Sequence, residues 1–116
     1  MEDRFSQQLK KGVLEMLVLD LLCSKTSYGY ELLSTLKEGS GGTFCLKEGT
    51  LYPILYRLED EGLIQARWIS GEGRAAPKKM YAATDKGREE NFRRRLIWQE
   101  FTRTVDGYFR EEHSHD

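Results

Sequence analysis

The stretch Lys47–Ile64 constrains the fold of this chain more than any other part of the sequence. Its apolar residues recur at helical spacing, about 100° per residue, and predict one buried face: Leu51, Ile54, Leu55 and Leu58. The opposite face carries hydroxyl groups and a guanidinium: Thr50, Tyr52, Tyr56 and Arg57, with Asp60 beyond them. Gly62 stands where a C′ glycine ends a helix, and an extended segment begins directly after it. A helix that ends at glycine and continues into a strand is typical of a winged helix-turn-helix.

The polar face of this predicted helix is suited to a DNA groove. Side chains early in a recognition helix reach base edges and phosphates in the major groove. Pro53 constrains where the helix begins, because proline fits the first turn and clashes further in. We therefore predict Thr50 as the N-cap, which places Pro53 at the third helical position. A start at Lys47 or Glu48 would need a local distortion.

A hairpin with a basic loop follows the predicted recognition helix. Apolar residues alternate from Leu63 to Ser70, so we expect a half-buried strand with Ile64, Ala66 and Trp68 inward. Lys78–Ala83 can pair with it as a second strand. The loop Gly71–Pro77 between them is the predicted wing, and the cations for flanking phosphates lie at its tip and base: Arg74, Lys78 and Lys79. The alternative is an ordinary solvated hairpin.

Three further segments precede the recognition helix. A strongly apolar helix from about Phe5 to Cys23 is expected to be buried on more than one side. It is either a central core helix or, at Phe5, Leu9 and Met16, partly covered by a second subunit. The hydroxyl residues of Ser24–Ser27 predict an N-cap for a second helix from Tyr28 to about Glu38. Thr43–Leu46 can form one short strand.

The last predicted helix begins after Thr84 as its N-cap and runs to about Arg110. Aromatic and apolar residues recur along its second half at spacings of three and four, which predicts a seam for a partner helix: Trp98, Phe101, Val105 and Tyr108. Phe92 and Leu96 form a neighbouring stripe that could pack on the first helix of the same subunit. Arg93–Arg95 is interpreted as a solvated face.

These patterns predict a mainly α (α+β) fold with three parts. Residues 1–84 form a winged helix with a two- or three-stranded sheet, 85–110 a dimerisation helix, and 111–116 a disordered acidic tail. A chain of 116 residues with net charge −1 fits one domain whose cations are locally clustered. Cys23 and Cys45 lack metal-ligand spacing and are expected to be buried and reduced. We predict a cytoplasmic protein with no membrane segment, no catalytic residues, no metal and no cofactor.

Four motifs in order resemble the PadR-like transcriptional regulators, in particular short members with a single C-terminal dimerisation helix. The motifs are Gly12–Leu19, Tyr28–Leu32, Glu48–Pro53 continuing into Leu55–Glu59, and Lys79–Tyr81 leading to Thr84 and Gly87. The resemblance covers nearly the whole chain. Lys47 stands where the family often has serine or asparagine, and Ala82–Ala83 replaces a bulkier pair. These departures leave the operator and ligand open.

The resemblance implies a homodimer that represses transcription at a pseudo-palindromic operator and is released by a small molecule or by another signal. It also implies that Tyr28 and Tyr30 contact phosphates, and that Lys47 joins the residues of the recognition helix at the major groove. In some short members an aromatic residue at the position of Trp98 stacks on flat hydrophobic ligands, so Trp98 and Phe101 are candidate effector-binding residues. From the residues alone, this pair is more readily interpreted as interface core than as a binding platform.

A second function class remains open from the sequence. Tyr30, Tyr52 and Tyr56 would suit a protein interface as well as a DNA groove. The wing and the tyrosine face would then form a protein-binding module without specific DNA binding. The cations beside the predicted helix favour the DNA-binding interpretation.

Overall fold

The computed structural model describes the backbone of residues 3–114 and the side chains of residues 3–111. It confirms a winged helix-turn-helix with a long C-terminal helix. The elements in chain order are α1 (Arg4–Ser24), β1 (Ser27–Tyr28), α2 (Gly29–Gly39), α3 (Glu48–Asp60), β2 (Ile64–Ile69), β3 (Lys78–Ala83) and α4 (Asp85–Ser114). No helix in this described part is long and apolar enough to cross a membrane.

The core lies where α1, α2 and α3 meet the inner face of the sheet. Leucines from all three helices are fully buried there, as the periodicity of α3 predicts. Tyr81 from β3 is the largest buried side chain, at 1% exposure. The buried apolar residues are Leu14, Val18, Leu19, Leu22, Leu32, Leu36, Leu51, Ile54, Leu55, Leu58, Leu63, Ile64, Tyr81 and Ala83.

The sheet has three antiparallel strands in the order β1-β3-β2. Ile64 pairs with Ala83 at one end of the hairpin, and Ile69 pairs with Lys78 at the other. The third strand is β1, since Ser27 pairs with Tyr81.

The expected strand at Thr43–Leu46 does not form, and that prediction was wrong. Backbone groups of this segment bond to side chains instead of a sheet. Lys10 Nζ donates to the Thr43 carbonyl at 2.7 Å, and the Phe44 N–H donates to Ser40 Oγ at 2.9 Å. These hydrogen bonds engage the backbone carbonyl and N–H groups that pairing with a β-strand would require.

The beginning of α2 also differs from the prediction. Its N-cap is Tyr28, and no hydroxyl of Ser24–Ser27 caps it. The Tyr28 N–H donates to Glu31 Oε1 at 2.8 Å, so a glutamate three residues into the helix satisfies the group. Ser27 is buried and its hydroxyl donates to the Lys25 carbonyl, which removes it from any capping role.

The start of α3 corrects a second prediction, because Lys47 rather than Thr50 is the N-cap. The N–H groups of Thr50 and Leu51 both donate to the Lys47 carbonyl, at 3.0 and 3.1 Å. Pro53 therefore lies inside the helix. Proline there deprives the carbonyl four residues earlier of its donor, and that residue is the exposed Gly49. Water can hydrate this carbonyl, which explains why the helix tolerates an early start.

The junction between α3, β2 and α4 is closely packed. Gly62 has φ of +75°, as expected for a C′ glycine. Thr84 Oγ1 accepts from the Gly87 N–H at 3.0 Å, which confirms Thr84 as the N-cap, and donates to the Gly62 carbonyl at 2.7 Å. A Cβ added at Gly87 would lie 1.9 Å from the Leu63 carbonyl oxygen. Only glycine therefore allows the first turn of α4 to approach the Leu63 carbonyl so closely.

The second half of α4 extends away from the rest of the chain, whose principal extents are 69 × 35 × 21 Å. The helix continues to Ser114, past the predicted end at Arg110. The expected disordered tail falls partly on residues 115–116, outside the described residues. Phe92 and Leu96 are 67% and 51% exposed, so the prediction that they pack on α1 was wrong.

The two cysteines are free, and only one resembles the prediction. Cys23 is half-buried beside α4, where burial raises the pKa of its thiol. Cys45 is exposed, because the segment around it forms no strand that could cover it.

Candidate nucleic-acid interface

A cleft of about 450 Å³ opens between α2, α3 and the hairpin of β2 and β3. We call it the aromatic–lysine cleft, because aromatic rings form its walls and two lysines cross it. Its lining residues are Tyr28, Gly29, Tyr30, Glu48, Tyr52, Tyr56, Trp68, Pro77, Lys78, Lys79 and Tyr81.

Lys78 is held over one pair of rings at the α2 side of the cleft. Tyr28 and Tyr30 stack with centroids 5.7 Å apart and planes 8° from parallel. Lys78 Nζ lies 5.9 Å from the first ring centroid and 5.3 Å from the second. The strand register explains the contact: Tyr28 pairs with Met80, so Lys78 is its diagonal neighbour on β3. The aromatic faces attract the ammonium and restrict its position.

Lys79 is held by a second group of rings closer to α3. Its Nζ lies 5.9, 5.8 and 5.7 Å from the ring centroids of Tyr56, Trp68 and Tyr81. It also lies 3.8 Å from Glu59 Oε1. The ammonium therefore sits among three aromatic faces with one carboxylate partner, and the lysine stem is only half-buried.

Two buried polar atoms in or beside the cleft lack hydrogen-bond partners within the described residues. These atoms are the Tyr81 hydroxyl and Glu59 Oε1, both buried. Burial raises the pKa of Tyr81 to about 12, with smaller contributions from the negative charge of Glu59 and from Tyr52 and Tyr56. Tyr81 is therefore a neutral hydroxyl at physiological pH. Tyr81 therefore adds no negative charge to the cleft, whose carboxylates are Glu48 in the lining and Glu59 beside Lys79.

Gly29 sets the distance between α2 and the recognition helix α3. A Cβ at this buried position would lie 3.0 Å from the Tyr52 hydroxyl oxygen. The first turn of α2 therefore packs directly on the Tyr52 side chain. Tyr52 in turn lies 6.4 Å, centroid to centroid, from Tyr56.

The structure gathers most predicted DNA-binding residues into this cleft, but leaves four outside it. Tyr28, Tyr30, Tyr52, Tyr56, Lys78 and Lys79 line the cleft. Lys47 and Thr50 are exposed at the start of α3 and line a separate depression shared with α1. Arg74 is exposed on the loop between β2 and β3.

Arg57 lies on a different flank of α3, facing α1. Its Nε donates to Glu15 Oε2 at 3.3 Å. The other Glu15 oxygen lies 3.8 Å from Arg94 of α4, so one carboxylate joins two guanidinium groups. Arg94 also donates to Glu90 at 2.7 Å, which ties the start of α4 to this network. Residue spacing placed Arg57 on the polar face, but could not show that α1 supplies a carboxylate there.

Trp68 is an exposed aromatic residue of the cleft that the predicted DNA-binding set did not include. We expected it to face the core, yet it is 68% exposed, so that prediction was wrong. It shares a sheet face with the buried Ile64 and the half-buried Ala66, but extends past the edge of the core. Pairing of Trp68 with Lys79 across the hairpin would have been the available signal.

A second concavity, the apolar groove, lies between α1 and α4 and has a volume of about 560 Å³. It is lined by Gln8, Leu9, Gly12, Val13, Glu15, Met16, Arg94, Ile97, Trp98 and Phe101. The candidate effector residues Trp98 and Phe101 therefore meet there, and they are 41% and 61% exposed. The predicted seam continues to the half-buried Val105 and the exposed Tyr108. Phe5 and Leu9 of α1 are exposed as well.

No group of three or more histidine, cysteine or acidic residues that could hold a metal ion occurs within the described residues. The site that the geometry offers is instead a rim of cations and hydroxyls beside a helix-turn-helix. Fold and cleft together define a winged-helix protein of the DNA-binding class.

The particular family follows from comparison with known proteins. The profile of the "Transcriptional regulator PadR-like family" matches residues 18–93. The chain belongs to this family, and its members are transcriptional regulators rather than enzymes. Both the resemblance seen in the sequence motifs and the prediction of a non-enzymatic function are thereby confirmed.

Relatives agree over different shares of their length. The negative transcriptional regulator PadR of Bacillus subtilis is 38% identical over 78 residues, which are 67% of this chain and 42% of that protein. A PadR-like transcription factor from Bacteroides fragilis is 32% identical with TM-score 0.74, covering 90% of this chain and 97% of its own. A PadR family regulator from Eggerthella lenta is 31% identical with TM-score 0.78, over 89% and 87%. The chain thus spans less than half of the first relative and most of the two solved structures.

Proposed function

We propose that this chain is a sequence-specific repressor that binds a pseudo-palindromic DNA operator as a homodimer in the cytoplasm. The observation that supports the proposal best is the placement of Lys78 over a ring of α2 and of Lys79 over a ring of α3. Phosphates require cations at the edge of a recognition helix, and these two are already positioned. Family membership supports DNA-binding regulation in general.

The proposed contacts divide between base edges and phosphates. Thr50, Tyr52 and Tyr56 on α3 enter the major groove, with Lys47 at the start of the helix. Tyr28, Tyr30, Lys78 and Lys79 hold the backbone, and Arg74 reaches it from the wing. Arg57 reaches DNA only by exchanging Glu15 for a phosphate or base. We therefore assign Arg57 a smaller part than the tyrosines.

The homodimer is proposed from the exposed face that α1 and α4 share. Large apolar side chains on this face are 41–70% exposed: Phe5, Leu9, Ile97, Trp98, Phe101 and Tyr108. A contiguous apolar surface of this kind is typical of an interface. A second copy supplies a matching α4, so a twofold axis would place two α3 helices on one side.

The same groove is the proposed site of a flat, hydrophobic effector. Trp98 and Phe101 provide aromatic faces, and most of the surrounding surface is apolar. Binding between the two α4 helices would change their separation and therefore the distance between the α3 helices. The regulator would then release its operator.

Titration of a labelled duplex from the region upstream of its own gene tests DNA binding directly. If the dimer neutralises about eight phosphates, log affinity falls against log salt with a slope of roughly −7. Protection of half-sites about 34 Å apart is expected for a twofold dimer on one face of DNA. Equal binding to a scrambled duplex would contradict sequence specificity. Absence of binding at low salt would favour the protein-binding alternative.

Quenching of tryptophan fluorescence by planar aromatic compounds tests the effector site. Trp98→Ala is expected to abolish quenching while Trp68 still emits. Quenching that survives this change would remove Trp98 from the proposed site.

A further inference from the structure

Trp68 occupies an unusual place for so large an apolar side chain. Along β2 the inward positions become steadily more exposed, from buried Ile64 through half-buried Ala66 to Trp68 at 68% exposure. The ring thus stands on the core-facing side of the sheet, but beyond the core. It forms the hairpin wall of the aromatic–lysine cleft, across from Tyr56.

The indole has an unused hydrogen-bond donor. Within residues 3–111 its ring contacts the Lys79 ammonium at 5.8 Å, and its N–H donates to no side chain or carbonyl. An exposed tryptophan buries a large area when a partner covers it and satisfies its N–H at the same time. The surface therefore fits a partner that offers an apolar face next to an acceptor.

The ammonium of Lys79, 5.8 Å from the Trp68 ring centroid, favours an anion as that partner. Lys78 and Lys79 line the same cleft as Trp68. The nearby carboxylates are Glu48, which also lines the cleft, and Glu59, whose Oε1 lies 3.8 Å from Lys79 Nζ. A nucleic-acid strand presents a phosphate beside the apolar face of each sugar. This alternation matches an ammonium placed beside an indole.

We infer that Trp68 is a DNA-contacting residue whose indole covers a deoxyribose and whose N–H donates to a phosphate oxygen that Lys79 neutralises. The inference rests on the proposed DNA-binding function and extends it to a residue outside the predicted set. Trp68 adds affinity without adding charge. The contact also positions the β2–β3 hairpin against the DNA strand. Its entropic cost is small, because a rigid ring loses little conformational freedom on binding.

Duplex binding at several salt concentrations separates this neutral contact from an ionic one. Trp68→Phe keeps a ring but removes the N–H, and Trp68→Ala removes both. We expect a loss of affinity of about tenfold for Trp68→Phe, as for one hydrogen bond to a charged group, and a larger loss for Trp68→Ala. The salt slope should stay unchanged in both, whereas Lys79→Gln should reduce it by about 1.

Gln65→Ala is the matched control, because Gln65 is exposed on the opposite face of the same strand. It should bind DNA as the unaltered protein does. If Lys79→Gln weakens binding while both Trp68 variants bind normally, the inference is overturned and the proposed function survives. If the unaltered protein fails to bind any duplex, the proposed function fails first.

A spectroscopic measurement decides the matter should Trp68→Ala not fold. The chain contains two tryptophans, so 5-fluorotryptophan labelling gives two ¹⁹F signals that Trp68→Phe assigns. Saturating duplex should shift the Trp68 signal, whereas inorganic polyphosphate, which lacks sugar faces, should shift it less. A Trp68 signal that does not move with bound duplex, or moves equally with polyphosphate, contradicts the contact with the sugar.

Discussion

The aromatic–lysine cleft and the apolar groove use similar side chains for different purposes. In the cleft, rings alternate with ammonium groups and hydroxyls, and the floor is a fully buried tyrosine. In the groove, Trp98 and Phe101 sit among aliphatic residues, with charge only at Glu15 and Arg94. The cleft is complete within one chain, because α2, α3 and the hairpin all pack on a common core. The groove is lined only by α1 and α4 and remains open to solvent.

This difference teaches how an aromatic residue is to be interpreted. A ring beside a lysine holds the cation in position for an anionic partner. An exposed ring among aliphatic residues on a protruding helix is stabilised when a partner covers it and removes it from water. A charge placed in the groove should therefore disrupt assembly, whereas removal of a charge from the cleft should weaken DNA binding.

Phe101→Glu should have the largest effect, because it places a charge in the face assigned to the second subunit. We expect a monomer in sedimentation equilibrium and a loss of operator affinity of about a thousandfold, since the second half-site no longer adds avidity. Gln99→Glu adds the same charge on the opposite face of α4 and should remain dimeric. A dimeric Phe101→Glu protein would show that the interface lies elsewhere.

Gly87→Ala should strongly destabilise the junction between the winged helix and α4. The added Cβ would lie 1.9 Å from the Leu63 carbonyl oxygen, so α4 must shift. We expect a loss of about 3 kcal/mol, within the range for steric strain, in urea unfolding. Gly107→Ala is the matched control in the same helix, because nothing lies within 4 Å of its Cβ. That change should stabilise the helix by up to about 1 kcal/mol. Equal effects of the two substitutions on the free energy of unfolding would contradict the steric explanation.

Lys78→Gln should weaken binding to specific and scrambled duplexes alike, by about tenfold, since a phosphate contact carries no base information. The salt slope should fall by about 1. Lys37→Gln, an exposed lysine in the last turn of α2, serves as the control. A preferential loss for the specific duplex would instead assign Lys78 to base recognition.

Glu90→Gln should have the smallest effect, a loss of stability that is present near neutral pH and disappears in acid. Hydrogen bonds from Arg93 and Arg94 hold the pKa of Glu90 down to about 2, below its ordinary 4.5. The stabilisation is therefore present above about pH 4.5 and is lost as the pH falls toward 2. Thermal unfolding at about pH 6 and pH 3 should show a smaller pH dependence for Glu90→Gln than for the unaltered chain.

Glu100→Gln controls for the removal of a carboxylate on the protruding part of α4, where Glu100 pairs with the exposed Arg103. It should keep the acid sensitivity of the unaltered protein. If it abolishes that sensitivity as Glu90→Gln does, the network around Arg94 is not its source.

Much of the fold followed from local pattern. The leucines of α3 are buried as their spacing predicted, Gly62 ends that helix, and Thr84 caps α4. These features depend on neighbours within one or two turns, which the sequence displays directly. Two predicted N-caps were wrong. Tyr28 is the N-cap of α2 and its N–H donates to Glu31, and Lys47 rather than Thr50 is the N-cap of α3.

The candidate site was predictable as a set of residue types, but not as an arrangement. Spacing along α3 indicated Tyr52 and Tyr56, and charge indicated Lys78 and Lys79. Spacing gave no sign that Glu15 of α1 would bind Arg57, since those residues meet only through packing. Trp68 likewise obeyed the alternation of a strand, yet the core ended before reaching it.

The sequence by itself determined the order of elements, the apolar face of each helix and the residues that could carry charge to DNA. Those properties arise from periodicities of the chain and from side-chain chemistry. Tertiary structure alone decided which strand completed the sheet, which cations lay over which rings, and which aromatics remained exposed. Such choices depend on competition between distant groups for the same space and the same hydrogen bonds, and that competition exists only once the chain has folded.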